Sequence, residues 1–249
     1  MSEVAVDIDG KVAVLTIDRP HARNAIALAT IAELGEALDA VEREPVNVLV
    51  VRGAGDRAFV SGGDLKELSR IRDEPGAIDM ATRMRRLLDR LATFPVPVVA
   101  ALNGHALGGG AEVAVAADVR IAADDVSIGF TQVRLAIMPA WGGAERLAEL
   151  VGRSRAMLLI AAGTRLSADE AERIGLVDVV APRAGFDAGW RELAGAFAAL
   201  PEGAGRSIKA VVSAAKPNAH RALEAEAVRH FARLWVGDDH WRAADPARA

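Results

Sequence analysis

Cysteine is absent from the sequence, which excludes disulfides, iron–sulfur clusters and thiolate zinc sites and fits a reducing compartment. A surplus of either charge is lacking too. Thirty Lys and Arg face 34 Asp and Glu, a net charge of -4, so no basic field points to nucleic acid or an anionic membrane surface. The apolar runs are broken by Gly, Asp or Pro well short of the ~20 residues a membrane helix needs. The opening "MSEVAVDIDG" is acidic and alternating, not a basic stretch leading into an apolar one, so we read no signal peptide and expect a soluble cytoplasmic protein. His21, His105, His220, His230 and His240 show no pairing at metal-ligand spacing, so no metal is expected. There is no P-loop, no G-x-G-x-x-G, and Ser61 is not in a G-x-S-x-G elbow. Internal repeats and low-complexity linkers are also missing.

What is present suits one sizeable globular domain, or a core with a helical appendage: 249 residues, 51% of them hydrophobic. Val4, Val6 and Ile8 alternate, Asp9-Gly10 signals a turn, and Val12, Val14 and Thr16 continue the period of two, which predicts a hairpin. Ile31, Leu34, Leu38 and Val41 fall at helical spacing before Pro45. "VNVLVVRGAG" reads as a buried strand, "IDMATRMRRLLDRLATF" as a helix stopped by Pro95 and Pro97, and "VVAALNG" and "DVRIAA" as further strands. Ser167 and Glu170 fit a capping box, and Gly175 ends the helix that it starts. Strands alternating with helices predict an α/β core over residues 1–185. Residues 186–249 read as almost entirely helical. There Leu223, Val228, Phe231, Leu234 and Trp235 offer more apolar surface than a lone helix readily hides, which predicts assembly.

Two stretches carry the chemistry. In "NGHALGGGAEVAVAADVRIA", Gly108, Gly109 and Gly110 run into Glu112. Glycine inside a helix costs roughly 1 kcal/mol relative to alanine, and a carboxylate among Ala and Val costs more unless something needs it. A strand entering a helix through glycines bares amide N–H groups that a ligand can approach, and the helix dipole favours negative charge there, including that of Glu112. "AFVSGGDLKEL" repeats the pattern with Gly62-Gly63 and Asp64 as a helix cap. Each alone is equally an ordinary packing turn. Together they can aim two donors at one oxygen, which is an oxyanion hole. Strands ending near Arg52 and Leu102 would bring them side by side.

These segments, with "PVVAALNGHALGGGAEVAVAADVRIA", "MPAWGGAERLAELVG", "VLTIDRPHARNAI" and "GTRLSADEAERIGLVDVV", resemble in order and spacing the signature segments of the crotonase superfamily, the enoyl-CoA hydratase/isomerase family. The resemblance covers nearly the whole chain. It implies an α/β spiral of ββα units with a helical C-terminal region used for trimers or dimers of trimers. It implies an acyl-CoA thioester substrate of fatty acid metabolism, with coenzyme A as part of that substrate and no metal or redox cofactor. The amides matching Gly63 and Gly109 would hold the thioester oxygen, and Glu112 would be general acid/base. The resemblance also places Arg23, Ala25, Ser61, Asp64, Leu65, Lys66 and Trp141 at the substrate, with Arg19, Arg23, Lys66 and Lys209 as candidates for the CoA phosphates. Arg83, Arg85 and Arg86 read as a solvated basic face.

The sequence departs from the family's pattern at two positions. Hydratases of the family use a second glutamate, which falls here on Gln132, and glutamine neither takes nor gives a proton at neutral pH. Asp124, Asp125 and Glu145 are no obvious replacement. Trp141 is either a packed aromatic or a mark of the family's decarboxylase branch, which acts on ethylmalonyl- or methylmalonyl-type thioesters. The reading is therefore an acyl-CoA lyase resembling enoyl-CoA hydratases, with Gln132 placing water or substrate. Its alternatives are such a decarboxylase and a non-catalytic acyl-CoA-binding homologue.

Overall fold

The structure, a computed structural model, describes residues 2–201, 203–214 and 219–245, giving 214 and 219–225 as backbone only. Strands β1 (Val4–Asp9) and β2 (Val12–Ile17) form the predicted hairpin, with Gly10 at φ +57 in its turn. The buried face of β2 is not the predicted one. Ala13, Leu15 and Ile17 are fully buried opposite Ile8, Val6 and Val4, whereas Val12, Val14 and Thr16 are half-buried on the other side. Helix α1 (Leu28–Glu42) and a later helix both pack on β2, so both of its faces are apolar and the pattern does not fix which one faces the core.

The chain then spirals. β3 (Val48–Gly53) is followed by β4 (Ala58–Val60), α2 (Leu65–Leu68) and α3 (Glu74–Ala92); β5 (Val98–Leu102) by β6 (His105–Leu107) and α4 (Gly109–Ala114); β7 (Val119–Ala123) by β8 (Ser127–Gly129). A short 3-10 turn at Gln132–Leu135 leads to α5 (Gly143–Val151) and α6 (Arg153–Ala162), then β9 (Arg165–Ser167), α7 (Ala168–Arg173) and β10 (Val179–Ala181). Each turn gives one strand to a six-stranded sheet, ordered β1-β2-β3-β5-β7-β10, and one to a four-stranded sheet, ordered β4-β6-β8-β9. These are ββα units, as the resemblance implied. β3 pairs in parallel with β5, and β4 with β6, so the two glycine turns leave neighbouring strands at the same end. The predicted capping box is present at Ser167 and Glu170.

Two buried asparagines fix the crossovers between the sheets. Asn24 accepts from the Arg19 amide at 3.0 Å and donates to the Ala54 and Ala58 carbonyls at 3.0 and 2.7 Å. Asn103 accepts from Gly53 N at 3.0 Å and donates to Gly53 O at 2.8 Å. The chain that delivers Gly62-Gly63 is thereby tied at both flanks.

Helices α8 (Phe186–Ala198), α9 (Ala204–Ala214), α10 (Ala219–Trp235) and α11 (Asp238–Ala243) complete the chain. α10 lies on α3 of the same chain, which corrects the expected assembly surface. Val228, Phe231 and Trp235 are buried within the chain, Leu234 is 44% exposed, and the side chain of Leu223 lies outside the described residues. The exposed apolar groups sit elsewhere: Met157 and Leu158 on α6, Ile208, Val211 and Val212 on α9. Arg85 is a second correction. It is buried and its Nη1 lies 2.9 Å from Glu145, while Arg83 and Arg86 are exposed as expected. No helix among the described residues is long and apolar enough to cross a membrane.

Asn24→Ala would leave one amide and two carbonyls unpaired in the interior. Each such group costs about 1–3 kcal/mol, and a kcal/mol is worth about 2–4 °C in a chain of this size. Thermal unfolding should therefore begin roughly 10 °C lower than in the native protein, with Arg83→Ala as an inert control. A shift under about 2 °C would contradict the role assigned to Asn24.

Candidate active site

The two glycine turns meet as close neighbours. Gly62 O accepts from Ile26 N, and Asp64 N donates to Ile26 O, both at 2.8 Å, so Gly63 is held in a parallel bridge with Ile26. Alternation along the strand then turns the Gly63 N–H away from Ile26, and it has no protein acceptor among the described residues. Gly109 is the first residue of α4, where an amide has no acceptor within the helix. A side chain on Gly62 would sit 3.4 Å from Gly109 N, one on Gly110 would overlap the Val60 carbonyl, and one on Gly109 would overlap the Trp141 ring. Close approach, as much as a bared amide, is what the three glycines serve.

Glu112 lies one turn into α4 and is 2% exposed. Its Oε2 accepts from Trp141 N at 2.7 Å and from Gly143 N at 3.0 Å, and its Oε1 accepts from Gln132 Nε2 at 2.9 Å. Gly143 opens α5, so the carboxylate caps the positive end of another helix. Burial nevertheless dominates. It pushes the Glu112 pKa up to about 7 against the pull of Gly143, Trp141 and Gln132, with Glu145 adding a smaller upward push. The expectation that helix-end charge would favour the ionised form is thus outweighed by loss of water. Gly143 must be glycine, because a Cβ there would overlap the Glu112 side chain. Arg146 donates to the Trp141 carbonyl at 3.1 Å and pairs with Asp89, which fixes the Trp141 amide on Glu112. Gln132 is buried, and its Oε1 has no hydrogen-bond partner among the described residues.

A cavity of about 110 Å³ joins Gly63, Gly109, Glu112, Gln132, Trp141, Ser61 and Leu65, all expected from the sequence. Its remaining wall was not: Leu68, Met80, Leu135, Ile137, Met138, Phe231 and Trp235 also line it. Met80 lies on the buried stripe of α3, and Ile137 and Met138 directly precede the recognised Pro139-Ala140-Trp141 segment, so the latter two were within reach of sequence reading. Among the described residues, Glu112 is the one carboxylate in the lining.

Other expected residues fall outside this cavity. Arg23 lines a second, polar cavity of about 340 Å³ with Arg57, Arg165 and Arg183, and Ser61 lines both. Lys66 is exposed. Asp64 caps α2 and pairs with Arg19 at 2.9 Å. The Ala25 carbonyl accepts from Arg19, whose Nε also pairs with Glu3 at 2.9 Å. Arg19 is therefore consumed by the fold and is corrected as a phosphate ligand. Lys209 is corrected likewise: it is buried, donating to Val96 O at 3.1 Å and pairing with Asp118 at 2.7 Å.

The family model for enoyl-CoA hydratase/isomerase matches residues 7–235. The chain belongs to this family. The short-chain-enoyl-CoA hydratase of Clostridium acetobutylicum is 39% identical over 181 residues, 72% of this chain and 69% of that protein. The probable enoyl-CoA hydratase of Bacillus subtilis is 38% identical over 180 residues, covering 72% and 69%. An enoyl-CoA hydratase from Mycobacterium avium subsp. paratuberculosis, solved as a crystal structure, matches with a TM-score of 0.89 at 27% identity over 98% of both chains. Family membership and this fold agree with the ββα spiral that the resemblance implied.

The state of Glu112 is measurable as stability. Its folded pKa, about 7, lies above its ordinary value of 4.5, so the folded chain binds the proton more tightly. The stability that this group contributes is greatest below pH ~4.5, falls as pH rises towards ~7 and is level above, a change of about 3 kcal/mol at most. Glu112→Gln keeps the two amide bonds and removes the charge. The variant should unfold at a higher temperature than the native chain at pH 8, with the difference shrinking towards pH 5. Equal behaviour at both pH values would show that Glu112 is not the strained group.

Proposed function

We propose that the protein is an acyl-CoA lyase that forms and quenches a thioester enolate, adding water to a 2-enoyl-CoA or removing it. The observation that carries this is Glu112, the one carboxylate among the described residues of the cavity lining, buried in a cavity that it shares with Gly63, Gly109 and the unpartnered Oε1 of Gln132. The thioester oxygen would lie on Gly63 N–H and Gly109 N–H, where a removed donor typically costs about 10²–10³ in rate. Gln132 Oε1 would accept from the attacking water, and its Nε2–H holds Glu112 in place. Ionised Glu112 would take a proton from that water as oxygen bonds to the β-carbon and negative charge moves onto the thioester oxygen. The same carboxyl would then deliver its proton to the α-carbon. One carboxyl with a pKa near 7 suits both roles at neutral pH. Arg23, with Arg57 and Arg165 around the adjoining polar cavity, would receive the phosphates of coenzyme A. The hydratase names of the relatives support the same reading.

Trp141 favours a second reading, decarboxylation of an ethylmalonyl- or methylmalonyl-type thioester. Its ring lies against Gly63 and Gly109 and dries the ground beside the oxyanion hole. Loss of CO₂ would leave a thioester enolate without the 3-hydroxyl, its charge on the same oxygen, and it needs only a proton from Glu112. The two readings predict opposite pH limbs: hydration should rise as pH passes about 7, and decarboxylation should fall there.

Product analysis by mass spectrometry with crotonyl-CoA and ethylmalonyl-CoA decides between them. We expect weak hydration in the native protein, suppressed at least tenfold in Glu112→Gln. Gln132→Glu would set two carboxyls at hydrogen-bond distance, sharing one proton, and should raise hydration by at least tenfold, within the usual 10²–10⁴ worth of an acid–base group. Brisk hydration that neither variant changes would overturn the assignment, and turnover of neither substrate would leave an acyl-CoA-binding protein.

We also propose a trimer or a dimer of trimers. The most exposed large apolar groups lie on two different helices, Leu158 at 70% exposure on α6 and Val211 at 74% on α9. A contact between unlike surfaces is head to tail, and it makes a ring of three where its rotation closes. Sedimentation should show three or six chains, and Leu158→Glu should dissociate them. A native monomer at micromolar concentration would refute this.

A further inference from the structure

Part of the cavity wall is aromatic, and its position is fixed from three sides. Trp235 reaches the cavity from α10 and is 2% exposed. Its Nε1 donates to the Ile71 carbonyl at 3.0 Å, in the link between α2 and α3. Its ring packs on Phe231 at 5.5 Å, on His240 at 4.6 Å and edge-on to Trp241 at 5.3 Å. His240 in turn lies 2.6 Å through Nδ1 from the Leu135 carbonyl. A carbonyl only accepts, so Nδ1 carries the proton and α11 is pinned to the segment that bears Gln132. An indole held by a hydrogen bond and by rings on its flanks cannot swing aside without breaking that bond and opening the core.

The room in front of this wall is small. An apolar cavity of about 150 Å³ takes a six-carbon ring. At the same room per carbon, about 110 Å³ takes about four carbons. One end of that space is committed to the carbonyl at Gly63 and Gly109, so the count includes the carbonyl carbon.

We infer that Trp235 is the specificity-determining residue of the site, stopping the acyl chain at about four carbons, with Phe231 beside it as the second half of the stop. This rests on the thioester site proposed above. Longer chains meet the indole face, and the hydrogen bond to Ile71 sets the cost of displacing it. Replacing Trp235 opens the cavity towards α11.

The test measures binding of butanoyl-, hexanoyl-, octanoyl- and decanoyl-CoA to the full chain by calorimetry, beside turnover of the matching 2-enoyl-CoAs. In the native protein affinity should fall at least tenfold from four to eight carbons. Trp235→Ala should reverse that order, and Trp235→Leu, which keeps the core apolar, should move the optimum to six carbons. A merely structural Trp235 would weaken all chain lengths alike. The inference is overturned if the native protein takes octanoyl-CoA as readily as butanoyl-CoA, or if either variant, folded by circular dichroism, keeps the native chain-length profile. Absence of binding by every acyl-CoA would instead sink the thioester reading on which it rests.

Discussion

The balance struck at the Glu112 carboxylate governs the rest of the site. Burial opposes its charge, and three donors support it: the amides of Trp141 and Gly143 and the side chain of Gln132. Burial wins, carrying the pKa up to about 7, and the donors keep it from rising further. Each donor then has its own support. Arg146 holds the Trp141 carbonyl and reaches Asp89 on α3, and Arg85 on the same helix holds Glu145 of α5. α3 is thus anchored by ions to the helix whose N-terminus caps the carboxylate. A site built this way keeps its acid in place through the rigidity of two helices, not through one flexible contact.

Much of this was legible because glycine and buried charge are costly, so their presence demands a reason. Gly108–Gly110 and Glu112 stood out on that ground, and the structure shows why each small residue is needed: Val60 behind Gly110, Trp141 against Gly109. Helices with a clear apolar stripe were equally readable, as at Leu34, Leu38 and Val41. What could not be read follows from length and context. β4, β6, β8 and β9 have three residues each, too few for a period of two to register. β2 is apolar on both faces, so its parity was hidden. Arg85, Arg19 and Lys209 look in sequence like any surface cation. Only the fold shows that each meets a carboxylate or carbonyl inside.

The sign of the field on Glu112 was hidden for a related reason. A residue in the first turn of a helix is expected to gain from the dipole, but α4 has six residues and its surroundings are dry. The helix end that matters is that of α5, whose Gly143 lies 31 residues further along the chain than Glu112. Position in a helix is a local property, whereas desolvation depends on the whole core, and here the second is larger.

Glutamine at 132 fits this balance as a glutamate would not. A second carboxylate 2.9 Å away would either raise one pKa sharply or keep a shared proton in the pair. The amide instead donates to Glu112 and steadies its charge, while leaving Oε1 free and buried. A buried acceptor without a partner costs about 1–3 kcal/mol, a cost that a bound hydroxyl or water would remove. That acceptor shares its cavity with Gly63, Gly109 and the Glu112 carboxyl. An apolar wall of Trp141, Phe231 and Trp235 excludes competing water and makes each remaining polar contact stronger. On the proposed reading, the same dryness that strains Glu112 would favour an uncharged thioester carbonyl that becomes an oxyanion at Gly63 and Gly109 over a ligand charged from the start.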